Sequence, residues 1–318
     1  MITGLGAYYR PDRLEEALQL LAQEPECEVL AGGTDLLLAD EPRQALVDIT
    51  RLGLDGLAEE GGDLVLGATL TIQRLLDSPL ARSWADGVLA GACLEFGTLQ
   101  VRNVATVGGN VAQALPAADL VPALMALDAE VSLARAGEAG SLSWRRLSLD
   151  GFATGPHRTI LQPGELLSSV RLPARTRTWR AQFRKVGRGM KDLAQVNSAV
   201  ALEIAPDSGG GRVRQARLVV GAVHPTVVRV PVAEAELVGA RPGGDDWPAR
   251  AARAADAVRA FVEPITDQRA TREWRRYVCG VLVRRSLEYL GDPSTAGRAP
   301  RLEDGPSYRI GLGADGTP

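Results

Sequence analysis

Two short segments set adjacent glycines beside hydroxyl and amide or carboxylate side chains: AGGTDLLL at residues 31–38 and TVGGN at residues 106–110. Paired glycines cost chain entropy, so a fold that keeps them needs bare backbone at those points. In the first segment the missing side chains of Gly32 and Gly33 let backbone N–H groups approach an anion, and the Thr34 hydroxyl can donate to a phosphate oxygen. In the second, Gly108 and Gly109 allow the same approach, Thr106 offers a hydroxyl, and Asn110 an amide that donates and accepts. Taken singly, each reads first as a tight turn. Together, each following a structured segment, they point to a diphosphate site divided between two walls. Asp119, nine residues on, suits a ribose hydroxyl or a helix cap.

Around these segments the hydrophobic pattern changes period repeatedly. Residues 13–24 place Leu14, Ala17, Leu18 and Leu21 at helical spacing. CEVL, ALVDI and DLVLGATLTI read as strands, and the apolar run after AGGTD as a second apolar segment. TIQRLLDS starts a short helix with Thr71 as its cap, and residues 84–96 read as one helix. LVPALMALD is helical. EVSLA, RTILQPGELLSSVRL and RVRQARLVVGAVHPTVVRV are strand-rich, with a hairpin loop at residues 209–211. Residues 247–261 and 271–290 return to helix. PARTRTW, residues 173–179, separates the two strand systems, and from Gly291 onward the chain is dense in Gly, Pro and Ser and reads as a mobile tail.

A chain of 318 residues favours two domains or one divided domain. A formal charge of −3 without a basic block argues against nucleic acid or an anionic membrane surface as partner. No signal sequence and no apolar run of membrane-spanning length is evident, so the expectation is a cytoplasmic protein with no membrane span. Cys27, Cys93 and Cys279 are far apart and no C-x-x-C pair occurs, which counts against a disulfide framework, zinc, or an iron–sulfur cluster built from this chain. His157 and His224 lie in no nucleophile or metal motif, so no catalytic residue and no metal site is expected. GLGADG at residues 311–316 matches the dinucleotide fingerprint formally, but the chain stops two residues later, leaving no room for the helix and acidic residue that the fingerprint needs.

AGGTDLL, followed some seventy residues later by QVRNVATVGGNVAQALPAADLVPALMALDAEV, resembles the FAD-binding medium subunit of the molybdenum hydroxylases, the group of xanthine dehydrogenase and carbon monoxide dehydrogenase. GELLSSVRLP, FRKVGRGMKDLAQVNSAVAL, VVGAVHPTVVR and ATREWRRYVCGVLVRRSLE extend the resemblance over residues 7–290. It implies an α+β protein: a two-subdomain FAD-binding fold of the vanillyl-alcohol-oxidase/PCMH type at residues 1–175, with subdomains at about 1–55 and 56–175. A smaller α+β domain with an antiparallel sheet, residues 176–290, would close the flavin side, and 291–318 would be a flexible tail. The cofactor is then FAD. Ala31, Gly32, Gly33, Thr34 and Asp35, flanked by Val29, Leu30 and Leu36, would meet the pyrophosphate; Thr106, Val107, Gly108, Gly109 and Asn110 would form the second wall, with the dipole of the following helix adding to it. Asp119 would sit near the ribityl and phosphate region, and Leu167 with Arg184 or Lys185 beside the flavin ring. Where relatives carry a lysine this chain has Arg184, with Lys185 one step later, and the choice between them stays open. Either cation would stabilise charge on the reduced ring. The implied partners are an iron–sulfur small subunit and a molybdenum-cofactor large subunit, the flavin collecting electrons for NAD or another acceptor. A stand-alone flavin-dependent oxidoreductase and a flavin-free scaffold subunit are the competing readings; the retained Gly32, Gly33, Gly108, Gly109 and Asn110 count against the scaffold.

Overall fold

The computed structural model describes residues 5–24, 26–38, 43–137, 141–189, 191–207 and 211–297. Its first unit comprises β1 (Ala7–Tyr9), α1 (Leu14–Gln23), β2 (Cys27–Leu30) and β3 (Ala45–Asp48), with the strands parallel in the order β1-β3-β2. The helical stripe read from the sequence is the buried one: Ala17, Leu18 and Leu21 of α1 pack on Val47 and Ile49 and reach Ala134 and Leu166. In a parallel sheet the loops leaving the strand ends open on one edge, which is where ligands bind. The AGGTD segment is the loop leaving β2.

The second unit runs through β4 (Leu57–Glu60), β5 (Asp63–Gly67), α2 (Ile72–Asp77), α3 (Pro79–Ser83), α4 (Val88–Glu95), α5 (Leu99–Arg102), α6 (Val107–Ala112) and α7 (Leu120–Ala126). It continues through β6 (Glu130–Ala136), β7 (Leu142–Ser148), a small hairpin of β8 (Ala153–Gly155) and β9 (Arg158–Thr159), and β10 (Glu165–Leu172). Five of these strands form an antiparallel sheet in the order β4-β5-β10-β6-β7, covered by the helices. Thr71 caps α2 as expected, its Oγ1 accepting from the Arg74 N–H at 3.2 Å. Two expectations fail locally. Residues 84–96 are not one helix, because Ala85, Asp86 and Gly87 have φ of 48°, 53° and 74° and α4 begins only at Val88. That strained turn is held by Asp86, whose carboxylate faces the Arg180 guanidinium at 3.4 Å and accepts from the Gly297 N–H at 3.1 Å. The apolar run after AGGTD is a 3₁₀ turn, Leu36–Leu38, with Leu38 81% exposed.

The third unit is an antiparallel sheet of β11 (Arg180–Val186), β12 (Val196–Ala205), β13 (Arg212–Gly221) and β14 (Val228–Arg229), followed by α8 (Pro231–Ala235), α9 (Trp247–Phe261) and α10 (Arg272–Gly291). β12 is buried on both faces over residues 196–202. Val200 and Leu202 face α9 and α10, whereas Ala199 and Ala201 join the core of the second unit with Phe183 and Trp179. The last described residues fold back: Arg180 donates to Leu290 O at 2.9 Å and to Thr295 Oγ1 at 2.6 Å. Residues 208–210, in the expected hairpin loop, and 298–318, including GLGADG, lie outside the described residues.

Candidate cofactor site

The loop leaving β2 lies directly on the segment ahead of α6. A Cβ on Gly32 would be driven into the Val104 carbonyl, so glycine there permits the two walls to touch. Gly33 has φ +67°, a conformation that side chains rarely adopt. Arg43, 6% exposed, braces the loop from behind by pairing with the Glu28 carboxylate and donating to Leu36 O at 3.0 Å. Among the described residues, no acceptor meets the backbone N–H groups of Gly32, Gly33, Thr34 and Asp35. A row of unpaired donors in a glycine-bearing loop is an anion-binding concavity.

The opposite wall is built differently. TVGGN is not a turn ahead of a helix but the first turn of α6 itself, with Thr106 as N-cap. Its N–H groups are engaged within the protein: Val107 with Leu70 O at 2.9 Å, Gly108 with Ala68 O at 2.8 Å, Gly109 with Thr106 Oγ1 at 3.0 Å, and Asn110 with Thr106 O at 3.0 Å. From Val107 to Asn110 the expected helix-dipole contribution therefore finds no unpaired donor. A Cβ on Gly108 would stand 2.7 Å from Ala68 Cβ and O, so that glycine serves the approach of α6 to the strand end. Gly109 is the exception: among the described residues its Cβ would meet Thr106 Oγ1 at 2.9 Å and otherwise open space. Asn110 Oδ1 accepts from the Leu120 N–H at 3.2 Å and so starts α7, the capping task the sequence offered to Asp119.

Between the walls lies a cleft of about 270 Å³. Of the residues expected from sequence, Val29, the loop residues Ala31, Gly32, Gly33, Thr34, Asp35 and Leu36, the wall residues Thr106, Gly108, Gly109 and Asn110, and Leu167 all line it. Leu30 and Val107 do not; Val107 is fully buried in the core. Nor do Asp119, Arg184 and Lys185 reach the lining. Lys185 Nζ, 2% exposed, meets Asp119 Oδ2 at 2.6 Å and Glu95 O at 2.9 Å, and Asn197 Nδ2 donates to Asp119 Oδ1 at 3.3 Å. Burial pushes the Asp119 carboxyl up, and the Lys185 ammonium only partly offsets it. This pair joins α7 to β11, because alternation along β11 sends Lys185 to one face and Arg184 to the other, toward Arg285, Glu288 and Tyr289 of α10. Burial and Arg285 hold the Arg184 guanidinium below its ordinary value.

Sequence reasoning missed Ala68, Phe96, Leu161, Glu165 and Leu166, which also line the cleft. Leu166 and Leu167 belong to different cores, Leu166 to that of the first unit and Leu167 to that of the second, and the cleft lies where the two units meet, so both line it. Glu165 is gripped by Arg145 through two bonds of 2.5 and 2.6 Å and by the Gln162 N–H at 2.7 Å. Burial raises its pKa, but these partners outweigh burial and hold the carboxyl below the ordinary 4.5. Cys27, Cys93 and Cys279 are separate thiols, burial pushing Cys279 up to about 12. Among the described residues no group of three His, Cys, Asp or Glu side chains is placed to hold a metal, and no helix is long and apolar enough to cross a membrane. A cleft lined by a loop whose N–H groups meet no acceptor among the described residues, together with Leu166, Leu167 and Phe96, fits an extended cofactor with a diphosphate.

Comparison with known proteins bears on this geometry. The family described as FAD binding domain in molybdopterin dehydrogenase matches residues 3–175, and the CO dehydrogenase flavoprotein C-terminal domain matches residues 181–290. The carbon monoxide dehydrogenase medium chain of Hydrogenophaga pseudoflava is 30% identical, over 88% of this chain and 95% of that one. The xanthine dehydrogenase FAD-binding subunit of Escherichia coli O157:H7 is 26% identical over 88% and 94%. A solved structure of the Hydrogenophaga pseudoflava carbon monoxide dehydrogenase, lacking the Mo-pyranopterin moiety of its molybdenum cofactor, contains a chain that superposes with a TM-score of 0.82 at 31% identity, covering 94% of this chain and 100% of that one.

Proposed function

The chain belongs to the family of FAD binding domains in molybdopterin dehydrogenases, and from that membership we propose that it is the subunit that holds FAD between the 31–36 loop and α6 and relays electrons within a larger complex. It is an oxidoreductase subunit and its cofactor is FAD. The partners in this reading are an iron–sulfur small subunit as donor and a molybdenum-bearing large subunit where the substrate is oxidised, with NAD or another acceptor downstream. FAD supplies the ability to take electrons singly and release them in pairs.

The observation that carries the reading is that, among the described residues, the N–H groups from Gly32 to Asp35 meet no acceptor in a cleft that Gly109 also lines. These donors bind the diphosphate, and the Thr34 hydroxyl adds a further bond. Leu167 and Phe96 keep water from the apolar part of the cleft. With no acid or base side chain required, the protein's work is to hold the cofactor and fix its surroundings.

The test is the visible absorption spectrum of the purified chain, with chromatographic identification of any chromophore released by heat. Stoichiometric FAD without iron–sulfur absorption is expected, and Gly109→Trp should abolish it. A colourless chain that fails to take up added FAD, or a G109W chain with unchanged FAD content, would sink the assignment. Turnover by the isolated chain with a small substrate or NADH would instead favour a stand-alone flavoenzyme.

A further inference from the structure

α4 ends in carbonyls that no helix can satisfy internally. Leu94 O accepts from Lys191 Nζ and Glu95 O from Lys185 Nζ at 2.9 Å, while Arg102 Nη1 donates to Phe96 O at 3.1 Å and Gly97 O at 3.0 Å. Cations at a helix C-terminus are favourable, and here two of the three belong to the C-terminal domain. They are also the two lysines of a chain whose other cationic residues are all arginine. The choice has a physical reason at Lys185. One buried ammonium meets both the Glu95 carbonyl and the Asp119 carboxylate, and its compact head takes less room in that buried place than a planar guanidinium fork. Lys191, half-buried, makes the neighbouring grip from the segment after β11. Phe96, the residue directly after Glu95, lines the cleft.

We propose that Lys185 and Lys191 are positioning residues: by gripping the last carbonyls of α4 from the C-terminal domain, they set the place of Phe96 in the cofactor cleft. Docking of that domain is thereby tied to how the cleft holds its cofactor. The inference rests on the cleft being the FAD site, and its test separates the two.

The measurements are the dissociation constant for FAD, read from flavin fluorescence, and the visible circular dichroism of the bound flavin, both on the full chain. Lys185→Met should weaken FAD about tenfold and alter the flavin dichroism, and Lys191→Met should do so about threefold. Phe96→Ala should change both readouts in the same direction, and Lys185→Arg should not restore them. Trp247→Phe, which removes the bond from Nε1 to Leu287 O between α9 and α10, should lower the thermal midpoint yet leave the flavin dichroism as it was. If K185M does not fold, K191M carries the test alone. Wild-type affinity and dichroism in K191M overturn the inference whatever F96A does; if F96A and G109W also keep their FAD, the reading of the cleft falls with it.

Discussion

The 31–35 loop and the 106–110 wall are alike in composition, each with two glycines, a threonine and an amide or carboxylate, yet they use their N–H groups in opposite ways. From Gly32 to Asp35 the donors meet no acceptor among the described residues, and the loop's shape is imposed from outside by Arg43 and by contact with Val104. From Val107 to Asn110 each donor is bound to the chain itself. An anion site requires donors that folding has left unpaired, and glycine content does not measure that. In the proposed function the first wall recognises the cofactor, and the second is a stiff surface opposite it.

Substitutions can break this contrast, and the largest effect belongs to the stiff wall. Gly108→Val places a side chain against the Ala68 backbone and should cost about 3 kcal/mol of stability, read as a fall in the urea midpoint. A wild-type midpoint would refute the close approach. Gly109→Trp, one residue on, should abolish FAD retention with stability changed by less than about 1 kcal/mol, because its side chain enters the cleft rather than the core.

Glu165, on the cleft lining, should make stability respond to pH. The folded Glu165 carboxyl lies below 4.5, so its contribution is fully present above that value and is lost as pH falls through the depressed one. Arg145→Met removes the chief partner and should destabilise by about 2 kcal/mol at neutral pH while flattening the acid limb of the stability profile. An acid limb unchanged in R145M would show that other carboxylates govern it. The smallest effects are the sharpest comparison. Thr106→Ala removes the α6 cap and should cost about 1 kcal/mol of stability with little change in FAD affinity. Thr34→Ala should do the reverse, weakening FAD about fivefold at unchanged stability. Equal behaviour of the two threonine variants would erase the distinction between the walls.

Much of this was legible in the chain. Helical periodicity located α1, α9 and α10, and hydroxyl spacing located the Thr71 cap, because those signals are local. The two glycine segments placed most of the cleft for the same reason. The break at residues 85–87 was hidden, since apolar spacing continues across it and the strain is held by Arg180, 94 positions from Asp86. Asp119 and Lys185 were placed near the cofactor by resemblance, and no local signal showed that they would meet. They found one another, 66 positions apart.

What the sequence determined by itself is where bare backbone had to lie and which elements flank it, since glycine conformation and hydrophobic period are properties of neighbours along the chain. What only the tertiary structure decided is which donors remain unpaired and which charges close on each other. Hydrogen bonding is settled between segments brought together by folding: Gly108 spends its N–H on Ala68, and the N–H groups of Gly32 to Asp35 meet no acceptor among the described residues.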